Sequence, residues 1–159
     1  MPMSQQQVDE FFRAYAPADV QHTVAWLVSS GYVLVSQDGT NTFGALFVFE
    51  SDSVVQIIVD RSQWSLDVAA APAAEFWHYD LLLAAQSGQE YGRRFPGVGT
   101  RTLGALLPEQ LPEDVSWRET LPDILHWIQS SDVTESVTKA QRQRSMLMWR
   151  RNHEGVRGE

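Results

Sequence analysis

The sequence predicts an α+β domain, and three observations carry that expectation. Apolar residues recur at helical spacing through the first thirty positions; from Tyr32 the period falls to about two and β-branched and aromatic residues take over; after Pro72 a helical pattern returns. The expected order is an N-terminal helix pair, a four-stranded antiparallel meander, a covering helix and C-terminal helices. With 159 residues, 43% of them apolar, the chain is long enough to bury about two-thirds of its unfolded surface. Residues 1–152 therefore read as one domain, and residues 153–159 as a flexible tail.

Each element has its own signal. Ser4 with Gln7 forms a capping box, after which Val8, Phe11, Phe12 and Tyr15 share one helical face. Pro17 suits the start of a second helix with Asp19 at the positive end of its dipole, a buried stripe of Val20, Val24, Leu27 and Val28, and Gly31 as its stop. Strands are expected at 32–36, 42–50, 54–60 and 64–68, with Asp38-Gly39 as a hairpin turn. Within 42–50, Phe43, Ala45, Phe47 and Phe49 alternate with Leu46 and Val48, so both faces of that strand are substantially apolar. Pro72 opens the covering helix, which carries Phe76, Trp77, Leu81 and Leu83 and ends at Gly88. Residues 88–106 hold too many glycines for a regular element, a short helix spans 119–130, and Asp132 with Glu135 caps a terminal helix to about Asn152.

Composition excludes several kinds of chemistry. The absence of cysteine removes thiol nucleophiles, thiolate metal centres and disulfides, and suits a cytoplasmic location. Charge is divided unevenly: residues 1–138 hold 18 acids against 6 Lys and Arg, whereas residues 139–159 hold 6 bases against 2 acids. Such an acidic body repels nucleic acid and attracts a basic partner, and no apolar run is long enough for a membrane span.

No catalytic motif is complete. The glycines at 97, 99 and 104 lack both the third glycine of a dinucleotide fingerprint and the lysine of a Walker loop. His22, His78, His126 and His153 have no metal-ligand spacing, so neither metal nor cofactor is expected. His78 has Glu75 at i−3 on the expected helix, a pattern that suits a solvated face better than acid-base work. Arg93, Arg94 and Arg101 fit an anion-binding loop as an alternative reading. Six tryptophans supply possible contact anchors, and Trp26, Trp64 and Trp149 are the ones expected at the surface. The expected contact surface comprises Asp38, Gly39 and Asn41 on the hairpin, Trp64 and Asp67 on an edge strand, and Arg93 and Arg94 on the long loop.

A family resemblance sharpens this expectation. The stretch Ser65-Leu66-Asp67-Val68-Ala69-Ala70-Ala71-Pro72, the aromatic segment Phe76-Trp77-His78-Tyr79-Asp80-Leu81-Leu82 and the run from Gly88 to Tyr91-Gly92-Arg93-Arg94 resemble small immunity proteins of actinobacterial polymorphic-toxin systems. These include the type that neutralises a necrotizing NAD-glycohydrolase toxin. The resemblance covers roughly residues 30–100 and implies inhibition of a secreted toxin's catalytic domain by occlusion, with no catalysis by this chain. A secretion or assembly chaperone is the other protein-binding expectation, and a small anion- or nucleotide-binding domain the third.

Overall fold

The structure, a computed structural model, describes residues 3–88, 100–102 and 116–157. Its elements are α1 (Gln5–Tyr15), α2 (Ala18–Ser29), β1 (Val33–Asn41), β2 (Gly44–Glu50), β3 (Val54–Asp60), β4 (Gln63–Ala69), β5 (Trp77–His78), α3 (Tyr79–Ser87), β6 (Thr100–Thr102), α4 (Trp117–Ser130) and α5 (Thr134–Arg157). The α+β class holds. Antiparallel strands follow the order β1-β2-β3-β4-β5, and β6 also pairs with β4.

The meander is built on a three-by-three block of apolar side chains. Strand register aligns Ala45, Val59 and Trp64, then Phe47, Ile57 and Leu66, then Phe49, Val55 and Val68. All nine are buried on one sheet face, because residues two apart in a strand point the same way. Helix α1 lies on this inner face: the rings of Phe11 and Phe12 stand 5.8 and 5.5 Å from Trp64, and 5.5 and 4.6 Å from Phe47. The Ser4–Gln7 capping box forms as expected and fixes where α1 begins.

A buried carboxylate joins the helices to one another. Asp19, in the first turn of α2, accepts hydrogen bonds from Ser116 Oγ at 2.8 Å and from the backbone N–H of Trp117 at 2.9 Å. Those donors lie at the N-terminus of α4, where backbone N–H groups have no partner within their own helix. Asp19 thus serves a helix almost a hundred residues away as well as the start of its own. Next to this junction, Thr120 donates its hydroxyl to Ser116 O at 2.6 Å, so Tyr79 donates its own to Thr120 Oγ1 at 2.5 Å, tying α3 to α4.

Several sequence expectations are corrected. The covering helix starts at Tyr79 rather than Pro72, since Ala73 has φ +68 and Trp77 and His78 pair with Val68 and Asp67 of β4. Strand β4 is consequently flanked on both sides and is not an edge. Trp64 is 0% exposed: its register puts it on the inner face against α1, so it is a core residue and not a contact residue. Asp38-Gly39 does not form the tip of the first hairpin. Strand β1 runs through it to Asn41, and Gly39, at φ +78, occupies a bulge where a Cβ would sit 2.2 Å from Gly44 O. Trp26 is half-buried rather than exposed, with the Arg118 guanidinium 5.8 Å from its ring centre, and Tyr15 and Val28 face solvent.

Two stability effects follow from this packing. Trp64→Ala empties the most crowded part of the inner face and is expected to cost about 3–5 kcal/mol in urea denaturation. Asp19→Ala leaves the buried start of α4 without its acceptor and should cost about 2–4 kcal/mol. Asp19→Asn, which keeps one acceptor oxygen, should fall between that variant and wild type.

Candidate protein-contact surface

The face of the sheet opposite α1 has a different chemistry. Its register brings together Asp38, Leu46, Ile58 and Ser65 in one row and Ser36, Val48, Gln56, Asp67 and His78 in the next. Leu46, Val48 and Ile58 are only half-buried and stand outside the packed core. An apolar strip therefore runs along the middle of the outer face, with Asp38 on the β1 side, Asp67 on the β4 side and Glu50 beyond Val48 on β2. Apolar centres with polar rims are the usual layout of protein-binding patches.

At one end of this face, two tight turns meet. Asn41 Oδ1 accepts from the backbone N–H of Phe43 at 2.9 Å and of Gly44 at 3.3 Å, which closes the β1–β2 turn. The β3–β4 turn consists of Arg61 and Ser62, both at positive φ, 52° and 65°. That geometry matches the twist of a two-residue hairpin but disfavours residues with a Cβ. It is held by the neighbouring turn: Arg61 N–H donates to Phe43 O at 3.0 Å and Ser62 N–H to Thr42 O at 2.7 Å. The result is a rigid corner that presents Phe43 at 72% exposure.

At the far side of the face, β4 and β5 assemble a polar cluster. His78 closes β5 and precedes α3 instead of lying on a solvated helix face with Glu75, and its Nδ1 stands 2.5 Å from Asp80 Oδ1. His78 Nδ1 is hydrogen-bonded to the Asp80 carboxylate and also lies 3.4 Å from the backbone N–H of Asp80, which it caps at the start of α3. The pair fixes the ring and directs Nε2 away from Asp80. Asp67, paired in register with His78, has its carboxyl pushed up, chiefly by burial. The nearby Asp80 charge adds to that shift, while His78 and Arg144 oppose it.

Of the residues expected to bind a partner, the structure brings Asp38, Gly39, Asn41 and Asp67 to this surface in distinct roles. Asp38 and Asp67 border the apolar strip, whereas Gly39 and Asn41 shape the bulge and turn that display Phe43. Trp64 faces the opposite way, and Arg93 and Arg94 lie outside the described residues. The alternation of Phe43 with Ala45, Phe47 and Phe49 put the four on one strand face and did not separate the exposed Phe43 from the three buried ones. Among the described residues, no group of three or more His, Asp or Glu is placed to hold a metal ion, and no helix is long and apolar enough to cross a membrane. Between α3 and α5 lies a groove of about 390 Å³ lined by Ala84, Ala85, Gly88, Lys139 and Gln143, with no converging acid and base for chemistry. Comparison of the chain with family models, curated proteins and solved structures finds no match.

The raised carboxyl of Asp67 sets a pH dependence. A carboxyl with a folded-state value above its unfolded one contributes stability that is fully present below the ordinary carboxylate range and lost as pH rises through the folded value. Asp67→Asn cannot lose that contribution. Its melting temperature should exceed wild type at neutral pH, with the difference closing as the solution is acidified.

Proposed function

We propose that this chain is a non-enzymatic protein-binding inhibitor of the immunity-protein kind, which occludes the active site of a cognate toxin domain. The observation that carries the reading is the outer sheet face: Leu46, Val48 and Ile58 form a half-exposed apolar strip between Asp38, Glu50 and Asp67, with Phe43 projecting at the corner. Acids around an apolar strip suit a partner whose cleft is basic, since the charges steer approach and fix register while desolvated apolar anchors supply affinity. The excess of acids over residues 1–138 adds long-range attraction to such a partner. The resemblance of residues 30–100 to immunity proteins favours a toxin as that partner and a cytoplasmic site of action.

A rigid sheet is suited to this task. Its side chains are held in position before binding, so little conformational entropy is lost on association. The strained Arg61–Ser62 turn fits the same purpose, because backbone strain maintained by neighbouring hydrogen bonds is characteristic of functional corners.

Co-purification from the native cell, with wild type and two variants side by side, tests the reading. Phe43→Ala and Val48→Arg should each weaken capture of the partner by about tenfold or more, the equivalent of about 1.4 kcal/mol, while melting within a few degrees of wild type. Coexpression with the isolated catalytic domain of the captured protein should rescue cell growth with wild type and fail to do so with Val48→Arg. A partner that binds all three proteins equally would place the contact surface elsewhere.

A further inference from the structure

Helix α5 carries a second exposed surface whose character is the reverse of the sheet face. Its inward stripe, Val137, Ala140 and the half-buried Leu147, packs toward the core. On the opposite side Arg142, Met146, Trp149 and Arg150, at spacings of four, seven and eight residues, share one exposed helical face. Two apolar side chains are thus bracketed by two arginines, as the apolar strip of the sheet is bracketed by two aspartates.

We infer that this helix face docks on the outer sheet face of a second copy of the chain, giving a reciprocal dimer in which each copy supplies one helix and one sheet. The dimensions agree. Eight helical residues place Arg142 and Arg150 about 12 Å apart along the axis. Asp38 and Asp67 lie on β1 and β4, three strand spacings apart and in neighbouring rows, about 16 Å in all, a difference that the long arginine side chains can span. A helix laid across the strands sets its arginines near the two aspartates, with Met146 and Trp149 over Leu46, Val48 and Ile58.

Charge selects this occupant over others. Nucleic acid or an anionic lipid surface is attracted to the arginines but repelled by the body, where acids outnumber bases 18 to 6 over residues 1–138. A second copy presents its two acids within reach of the two arginines, and the reciprocal arrangement closes on itself as a two-fold dimer without further growth. The same sheet face is the one assigned to a partner, so self-association and partner binding exclude one another. The dimer itself is observed on the isolated protein and does not depend on the identity of any partner.

Sedimentation of the full chain over about 1–300 µM should show the mass rising from 18.0 kDa toward twice that value, with dissociation promoted by about 0.5 M salt. Arg142→Glu combined with Arg150→Glu should weaken the dimer at least tenfold while leaving the melting temperature unchanged. The chain has no cysteine, so a flexible bismaleimide can report the geometry. A mixture of Met146→Cys and Val48→Cys proteins should crosslink, and neither alone should do so to the same extent. A monomer at every concentration overturns the inference. So does crosslinking by Met146→Cys alone equal to that of the mixture, which would signify helix on helix, or binding of the helix to phosphatidylserine vesicles in place of dimerisation.

Discussion

The architecture depends on a buried carboxylate. Asp19 sits 3% exposed where α2 meets α4 and accepts from Ser116 Oγ and Trp117 N–H. Burying a charge is costly unless fixed donors replace its water, and the unpaired N–H groups at a helix start are such donors. The contact joins residues 97 and 98 positions apart, so it ties the start of α4 directly to α2. Around it, Trp117, Tyr79 and Thr120 complete a layer of helices that joins the same core as the inner sheet face.

With α1 packed on one side, the sheet has two different surfaces. The inner one is a close-packed block around Phe47, Ile57 and Leu66, with α1 aromatics upon it. The outer one keeps three aliphatic side chains half exposed among acids, an arrangement that contributes little to the core and is available for recognition. The turns at its end are braced against each other through main-chain hydrogen bonds, and this bracing allows Arg61 and Ser62 to hold a conformation that either would avoid alone. Rigidity in the scaffold and exposure at the corner therefore have one origin.

Charge distribution extends this division to the terminal helix. Its inward stripe belongs to the core, while its outward arginines, Met146 and Trp149 contrast with the acidic body. A surface of one sign on a molecule otherwise of the other sign acts mainly through what it opposes. In the proposed reading, self-association and partner recognition draw on one outer face, so occupancy by one limits the other.

The sequence by itself determined the class, the α1 cap, the four main strands to within a few residues and the inward stripe of α1, because these rest on local hydrogen bonds and on side-chain periodicity. It misplaced the start of α3, since a two-residue strand such as Trp77–His78 has no periodicity and exists only by pairing with β4. It read Asp38-Gly39 as a turn because a bulge and a tip ask for the same glycine. Asp38 and Asp67 were legible as surface acids, but only the packing of α1 showed which face of β4 is covered, only the β1–β2 turn put Phe43 beyond the strand that buries Phe47, and only tertiary packing brought Asp19 to Ser116. Alternation states that two faces differ; which of them the helices cover is decided by contacts between residues far apart in the chain.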